Sequence, residues 1–213
     1  MPGWFKPLYT KPKIRELVAF DIEGGGGYSG FTCGAIVSDS IYSFYTNRED
    51  MFERLQEYAR NGAWVFSHNL QYDLPLLEGY DFPRGDLLFT KHSLLWATYT
   101  HKKRKCKFYD STNLFPKLSV DYLGDMVSLP KVVLPDSLLR RLAGGQEWEH
   151  FTQDEQDAIR KRVEVDAEIL FLAVASLQEL ILRLGGQLKP TIAGCAMDIY
   201  RRKYHRWPWQ VLG

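Results

Sequence analysis

The feature that most constrains this chain is a long helical period in its last third. Thr152 and Glu155 have the spacing of a capping box, and apolar residues then recur every three or four positions: Ile159, Val163, Leu170, Ala173, Leu177, Leu180 and Leu184. Gly185 and Gly186 end it. A helix with one apolar stripe must lie against another layer. One position breaks the stripe. Asp166 stands where the period reserves a core residue, and an unpaired buried carboxylate is costly. It should meet a metal, a basic partner or a cleft, and Arg162, one turn earlier, is the nearest basic partner in the chain.

The other layer comes from upstream. Leu17–Glu23 is a β-rich run that stops at Gly24 to Gly27, and Phe31–Val37 with Ile41–Tyr45 reads as a hairpin about Ser38-Asp39-Ser40. A charged helix from Arg48 to Arg60 closes at Asn61-Gly62, Trp64–Ser67 is a buried strand, and Asn69–Leu77 is a loop entering a short helix. Leu94–Thr100 and Cys106–Asp110 pair across the basic loop His101-Lys102-Lys103-Arg104-Lys105, and Leu114–Gln146 is short helices and loops. That order is a mixed α/β plan with an antiparallel side, not a strict βαβ alternation. At 213 residues, 45% hydrophobic and 25% charged, the chain suits one buried domain, alone or with a small appendage, and the figures argue against disorder, collagen and coiled coil.

Several function classes fall away. Gly25-x-Gly27-x-x-Gly30 matches a dinucleotide fingerprint, but β-formers follow it where a helix is required. Those glycines read instead as a strand-to-strand turn that a ligand backbone approaches closely. Cys33, Cys106 and Cys195 make neither a disulfide framework nor, with the histidines, a zinc spacing. No apolar run nears the roughly 20 residues of a membrane span, and no signal core follows the N-terminus. A cytoplasmic, reducing setting and no membrane partner are expected, with a viral, plasmid or other mobile-element source left open. Basic and acidic residues nearly cancel, 27 against 26, so only their distribution can point to a polyanion.

Strand alternation puts Asp21 and Glu23 on one face and Val18, Phe20 and Ile22 on the other. The two carboxylates are either a solvent-facing edge pair or share a cation. After the buried strand, Phe66-Ser67-His68-Asn69-Leu70-Gln71-Tyr72-Asp73 delivers an Asn and then an Asp to a helix entry. Alone, these could be a cap and a first-turn carboxylate.

Taken together, Asp-x-Glu at a strand end, Asn-x-x-x-Asp after a second strand and an Asp on a late helix resemble the DEDD exonucleases. The chain is most similar to the 3′–5′ exonuclease (proofreading) domain of protein-primed family B DNA polymerases, over about residues 17–180. Asp21-Ile22-Glu23 resembles the first motif, His68 to Asp73 the second, and Asp166 the third; Tyr109-Asp110-Ser111 and Leu114-Phe115-Pro116 add to the likeness. The resemblance implies an RNase H-like fold, an α/β mixed sheet flanked by helices with a β-hairpin insertion. It implies two divalent ions, Mg²⁺ or Mn²⁺, on Asp21, Glu23, Asp73 and Asp166, where hard oxygen donors suit such cations. It also implies that His68, Asn69, Tyr72 and Ser111 hold a single-stranded DNA 3′ end, with RNA as the alternative substrate.

Two departures stand out. The family's third motif usually carries a Tyr or His four or five positions before the aspartate, where this chain has Arg162 and Lys161. An arginine is no general base, but it can steady developing negative charge or neutralise Asp166. The Thr often found after the first-motif Glu is Gly24 here. Lys102, Lys103, Arg104, Lys105 and Lys107, interleaved with Tyr99, Phe108 and Tyr109, read as a nucleic-acid surface rather than a solvated hairpin tip. Arg201 to Arg206, with Trp207 and Trp209, form a second basic, aromatic cluster, and Pro190–Gly194 resembles the junction to a polymerase domain. The expected organisation is an exonuclease-like domain over 1–186 and an extension over 187–213, stand-alone or partnered by a polymerase domain or subunit. The expected activity is metal-dependent 3′–5′ hydrolysis of single-stranded DNA. A nucleic-acid-binding module with little catalysis and a DEDD ribonuclease are its alternatives.

Overall fold

The structure, a computed structural model, describes residues 4–25, 30–78, 86–90, 93–205 and 209–210. Its first half contains β1 (Trp4–Phe5), β2 (Leu17–Gly24), β3 (Phe31–Ser38), β4 (Tyr42–Tyr45), α1 (Arg48–Asn61), β5 (Trp64–Ser67), α2 (Leu70–Glu78), β6 (Leu87–Phe89) and β7 (Leu94–His101). The second half adds β8 (Arg104–Asp110), α3 (Val120–Val127), α4 (Asp136–Ala143), α5 (Gln153–Arg183), α6 (Ile192–Lys203) and β9 (Trp209–Gln210).

Seven strands form one sheet in the order β4-β3-β2-β5-β8-β7-β6, and β1 pairs separately with β9. β2, β5 and β8 are parallel, and the remaining pairs in the sheet are antiparallel. This is the expected α/β mixed sheet with helices on both faces. β2 is an interior strand, and both of its faces are covered. Leu17 and Ala19 pack into the cluster containing α5 residues Ile159, Val163 and Leu170, while Val18, Phe20 and Ile22 join Met51 and Leu55 of α1. Among the described residues no helix is long and apolar enough to cross a membrane.

Local signals explain the helix ends. Asn47 Oδ1 accepts from Asp50 N–H at 2.9 Å to start α1, and Gly62 ends it at φ 104°. Thr152 and Glu155 make the reciprocal capping box of α5. Its stripe follows the expected positions through Ala173 and then departs. Val174, Gln178 and Ile181 turn inward, whereas Leu180 is 52% exposed and Leu184 44%. The cause is a second covering segment. Arg15 N–H donates to Gln178 Oε1 at 2.8 Å and Gln178 Nε2 donates to Arg15 O at 3.0 Å, so the chain entering β2 covers this part of the helix.

The basic loop is tighter than expected. β7 and β8 stay paired to His101 and Arg104, leaving a two-residue turn with Lys102 at φ 47° and Lys103 at φ 65°, the hand that suits a hairpin. The extension from residue 187 packs on the same core, since Leu188 and Cys195 belong to the buried cluster that holds Phe66 and Leu170. It also grips the N-terminal segment, through Arg201 Nε to Lys6 O at 2.7 Å and Lys13 N–H to Gln187 Oε1 at 3.1 Å.

The glycines after β2 serve packing. Gly25 N–H donates to Gly30 O at 2.9 Å, and a Cβ on Gly25 would lie 2.1 Å from Ala143 O at the end of α4. The backbone that approaches is therefore the chain's own. Gly30 runs into a strand and not a helix, which removes the dinucleotide reading; Gly27 lies outside the described residues.

Candidate active site

Because β2, β5 and β8 are parallel, their C-terminal ends share one edge of the sheet, and the chemistry gathers there. Asp21 and Glu23 point from β2 to the α5 side, half-buried, as the alternation with Leu17 and Ala19 requires. Asp166 on α5 is buried at 3% exposure. One carboxylate oxygen each from Asp21, Glu23 and Asp166 lie within 4.8 Å of one another. Asp73, in the first turn of α2, is buried and accepts from the Ser67 hydroxyl at the end of β5. It stands beside that trio and outside its three-way grouping.

The electrostatics are those of anions held together without enough countercharge. Burial pushes the Asp21 carboxyl well above its ordinary range, and Asp166, Asp73 and Glu23 push it further. Glu23 is raised by burial against the pull of Arg162, and Asp166 by burial against Lys131 and Arg162. Asp73 moves from 3.8 to about 8, through burial and through Asp110 and Glu23, against the Ser67 hydrogen bond.

This shift carries a sign. A carboxyl whose folded pKa is raised keeps a proton that the unfolded chain releases, so its contribution is present at low pH and is lost as pH rises. Metal-free protein is expected to lose thermal stability between about pH 4 and pH 8, the window of Asp73. Saturating Mg²⁺ should flatten the decline. Thermal unfolding across that range, with and without the ion, checks it; a metal-free profile that climbs toward pH 8 would contradict it.

Two cations enter the cluster, and one differs from expectation. Arg162 does not chiefly serve Asp166: its Nε donates to Glu23 Oε1 at 2.5 Å and lies 3.9 Å from Asp166 Oδ2. The close partner of Asp166 is Lys131, whose Nζ is 2.9 Å from Oδ2. Asp166 Oδ1 is buried with no hydrogen-bond partner. Sequence reasoning missed Lys131. The signal was a lone charge in the otherwise apolar, proline-bounded stretch Leu129-Pro130-Lys131-Val132-Val133-Leu134-Pro135 between α3 and α4.

Of the residues expected to hold a strand, two face outward. Tyr72 is 51% exposed and donates its hydroxyl to Gly24 O at 2.7 Å, bridging α2 to the end of β2. Asn69 is exposed at φ 74°, its N–H 3.3 Å from Asp110 Oδ1. The other two are turned into the protein. His68 Nε2 lies 2.9 Å from Leu118 O and Nδ1 lies 2.9 Å from Ser111 Oγ, with Ser111 fully buried. A carbonyl only accepts, so Nε2 carries the proton and Ser111 donates to Nδ1. Burial lowers the His68 pKa, which keeps the ring neutral.

The basic segments lie elsewhere. Lys102, Lys103, Arg104 and Lys105 are exposed, but they sit where β8 begins, at the opposite sheet edge from Asp110. At a strand rise of ~3.3 Å per residue that is about 20 Å from the carboxylates. Lys102 Nζ is 3.4 Å from Glu53 of α1. The interleaved aromatics Tyr99, Phe108 and Tyr109 are buried in the two core clusters, not displayed for stacking. In the second cluster Arg201 holds Lys6 O, and Arg202 Nε bonds the buried Asp198 at 2.6 Å. Arg206 and Trp207 lie outside the described residues.

The donor set suits a hard divalent cation. The trio offers only carboxylate oxygens, an orphaned Asp166 oxygen is in place, and mutual repulsion is what such a cation would relieve.

No protein-family model and no curated protein matches the sequence. Among solved structures the fold is similar to Phi29 DNA polymerase complexed with primer-template DNA and incoming nucleotide substrates. The TM-score is 0.57 at 13% identity, covering 86% of this chain and 33% of the polymerase chain. A looser likeness, with a TM-score of 0.41 at 12% identity and 86% of each chain covered, is to the Nibbler EXO domain of Aedes aegypti.

Proposed function

We propose that the chain is a metal-dependent 3′–5′ exonuclease acting on single-stranded DNA ends. The observation that carries this reading is the close trio of half-buried Asp21 and Glu23 with buried Asp166, and Asp73 beside it, at the sheet edge where β2, β5 and β8 end. The fold shared with part of Phi29 DNA polymerase supports it.

Asp21, Glu23, Asp73 and Asp166 would hold two divalent ions, Mg²⁺ or Mn²⁺, which supply an activated water and stabilise the leaving 3′ oxygen. Lys131 orients Asp166 by its 2.9 Å contact and limits the charge that the buried carboxylates must bear. Tyr72, exposed at the rim, offers a ring face to a terminal base, a grip that needs no base sequence. Asn69, exposed just before α2, is the second residue proposed to hold the strand. His68 and Ser111 support this rim from inside by tying the end of β5 to the segment before α3. A polymerase, in the same chain or as a subunit, is the partner proposed with this activity. The setting proposed is reducing and cytoplasmic; Cys33, Cys106 and Cys195 are all buried.

A second reading has its own support. Arg162 already neutralises Glu23 at 2.5 Å, as it would in a nucleic-acid-binding module with little catalysis. The experiment that separates them uses 5′-labelled DNA and RNA strands with Mg²⁺, Mn²⁺ or EDTA. A ladder shortening from the DNA 3′ end, absent with EDTA and in Asp21→Ala/Glu23→Ala, is the expected result. Preference for RNA would mark a ribonuclease, and binding without cleavage under either ion would end the exonuclease reading.

A further inference from the structure

We infer that Arg162 couples metal binding to strand binding by exchanging one anion for another. This rests on the metal-dependent nuclease reading and adds to it a residue that stands where the related enzymes have a Tyr or His.

The geometry sets up a competition. Arg162 Nε lies 2.5 Å from Glu23 Oε1, and the two side chains are only 16% and 14% exposed. A guanidinium cannot shed its charge by losing a proton. Any divalent cation that draws on Glu23 must therefore compete with a fixed positive charge already bonded to it. Asp166 is no ready substitute partner for the displaced arginine. Its Oδ2 is 3.9 Å from Arg162 Nε and is already engaged by Lys131 at 2.9 Å, and its orphaned Oδ1 is the oxygen that the same cation would draw on. Removing one partner from a largely buried pair leaves the other uncompensated, which is costly.

A phosphodiester supplies the missing anion. Guanidinium and phosphate fit each other through parallel N–H···O bonds, and a strand end brought to the carboxylates carries its phosphate to this place. Metal alone is thus opposed by Arg162, and metal with strand is assisted by it. Linkage requires the effect to be mutual: the strand tightens the metal by the factor by which the metal tightens the strand.

The test is a Mn²⁺ titration of the full chain, read from the paramagnetic signal of free ion. It is run alone and with an oligothymidylate whose phosphorothioate linkages resist cleavage. In the native protein the strand should tighten Mn²⁺ binding about tenfold or more, and Mn²⁺ should tighten the strand equally. Arg162→Gln should bind Mn²⁺ alone about tenfold more tightly than the native protein, and the strand should then add little. Equal Mn²⁺ affinity in the two proteins, or no effect of the strand on the native one, overturns the coupling and leaves the nuclease reading standing. If the native protein and Asp21→Asn bind Mn²⁺ equally poorly even at millimolar ion, both fall together. The reciprocity is measured on the native chain, so a variant that fails to fold does not shelter the inference.

Discussion

Asp21→Asn is expected to lower cleavage of a single-stranded 3′ end by on the order of 10³-fold while raising the melting temperature of the metal-free protein. The two effects have one cause. Asp21 sits among Asp166, Asp73 and Glu23, and each of them drives its carboxyl toward the neutral form, as burial does most of all. In the proposed mechanism that crowding is useful, because the oxygens it forces together hold the cations. Losing a ligand forfeits several kcal/mol of transition-state stabilisation, and about 1.4 kcal/mol is a factor of ten. Without metal the same crowding only costs stability. Replacing the carboxylate by a neutral isostere relieves about 1 kcal/mol, or ~2–4 °C for a chain of this size. Single-turnover cleavage and thermal unfolding on one preparation check both halves. Loss of activity with an unchanged or lower metal-free melting temperature would mean that Asp21 is paid for by contacts other than a cation.

Gly25→Ala is expected to destabilise the fold by about 3 kcal/mol, far more than an alanine at most surface glycines. The new Cβ would lie 2.1 Å from Ala143 O, 2.4 Å from its carbonyl carbon and 2.5 Å from its Cα. These are backbone atoms at the end of α4 and cannot rotate aside. The close approach continues on both sides. A Cβ on Gly30 would fall 1.2 Å from Gly25 O, and one on Gly145 would fall 2.8 Å from the same oxygen. Gly62→Ala is the contrast. Nothing lies within 4 Å of its Cβ, so its cost is the φ of 104° alone, about 1 kcal/mol. Chemical denaturation of the two variants should separate them clearly. Activity should follow, since Gly25 adjoins the Gly24 carbonyl that Tyr72 bonds.

Much of the site was legible because its signals are local. Alternation along β2 put Asp21 and Glu23 on one face, and the helical period marked Asp166 as an anomaly before any partner was known. What was misjudged depended on distant neighbours. Arg162 was the candidate basic partner for Asp166 because a helix makes residues one turn apart adjacent, yet Glu23, 139 positions away, takes it at 2.5 Å. Tyr99, Phe108 and Tyr109 looked like a stacking surface beside lysines, and a covering layer buried them.

The sequence by itself determined the main strands and helices around the site, β2, β3, α1, β5 and the start of α5 with its capping box, and which face of β2 bears the carboxylates. These follow from backbone geometry over a few residues. Only the tertiary structure decided the company they keep. The parallel run of β2, β5 and β8 brought Glu23, Ser67 and Asp110 to one edge and sent the basic hairpin to the other. The seating of the segment after α3 brought Lys131 to Asp166. Strand direction and sheet order arise from how whole layers pack, and periods of two and 3.6 residues carry no information about them.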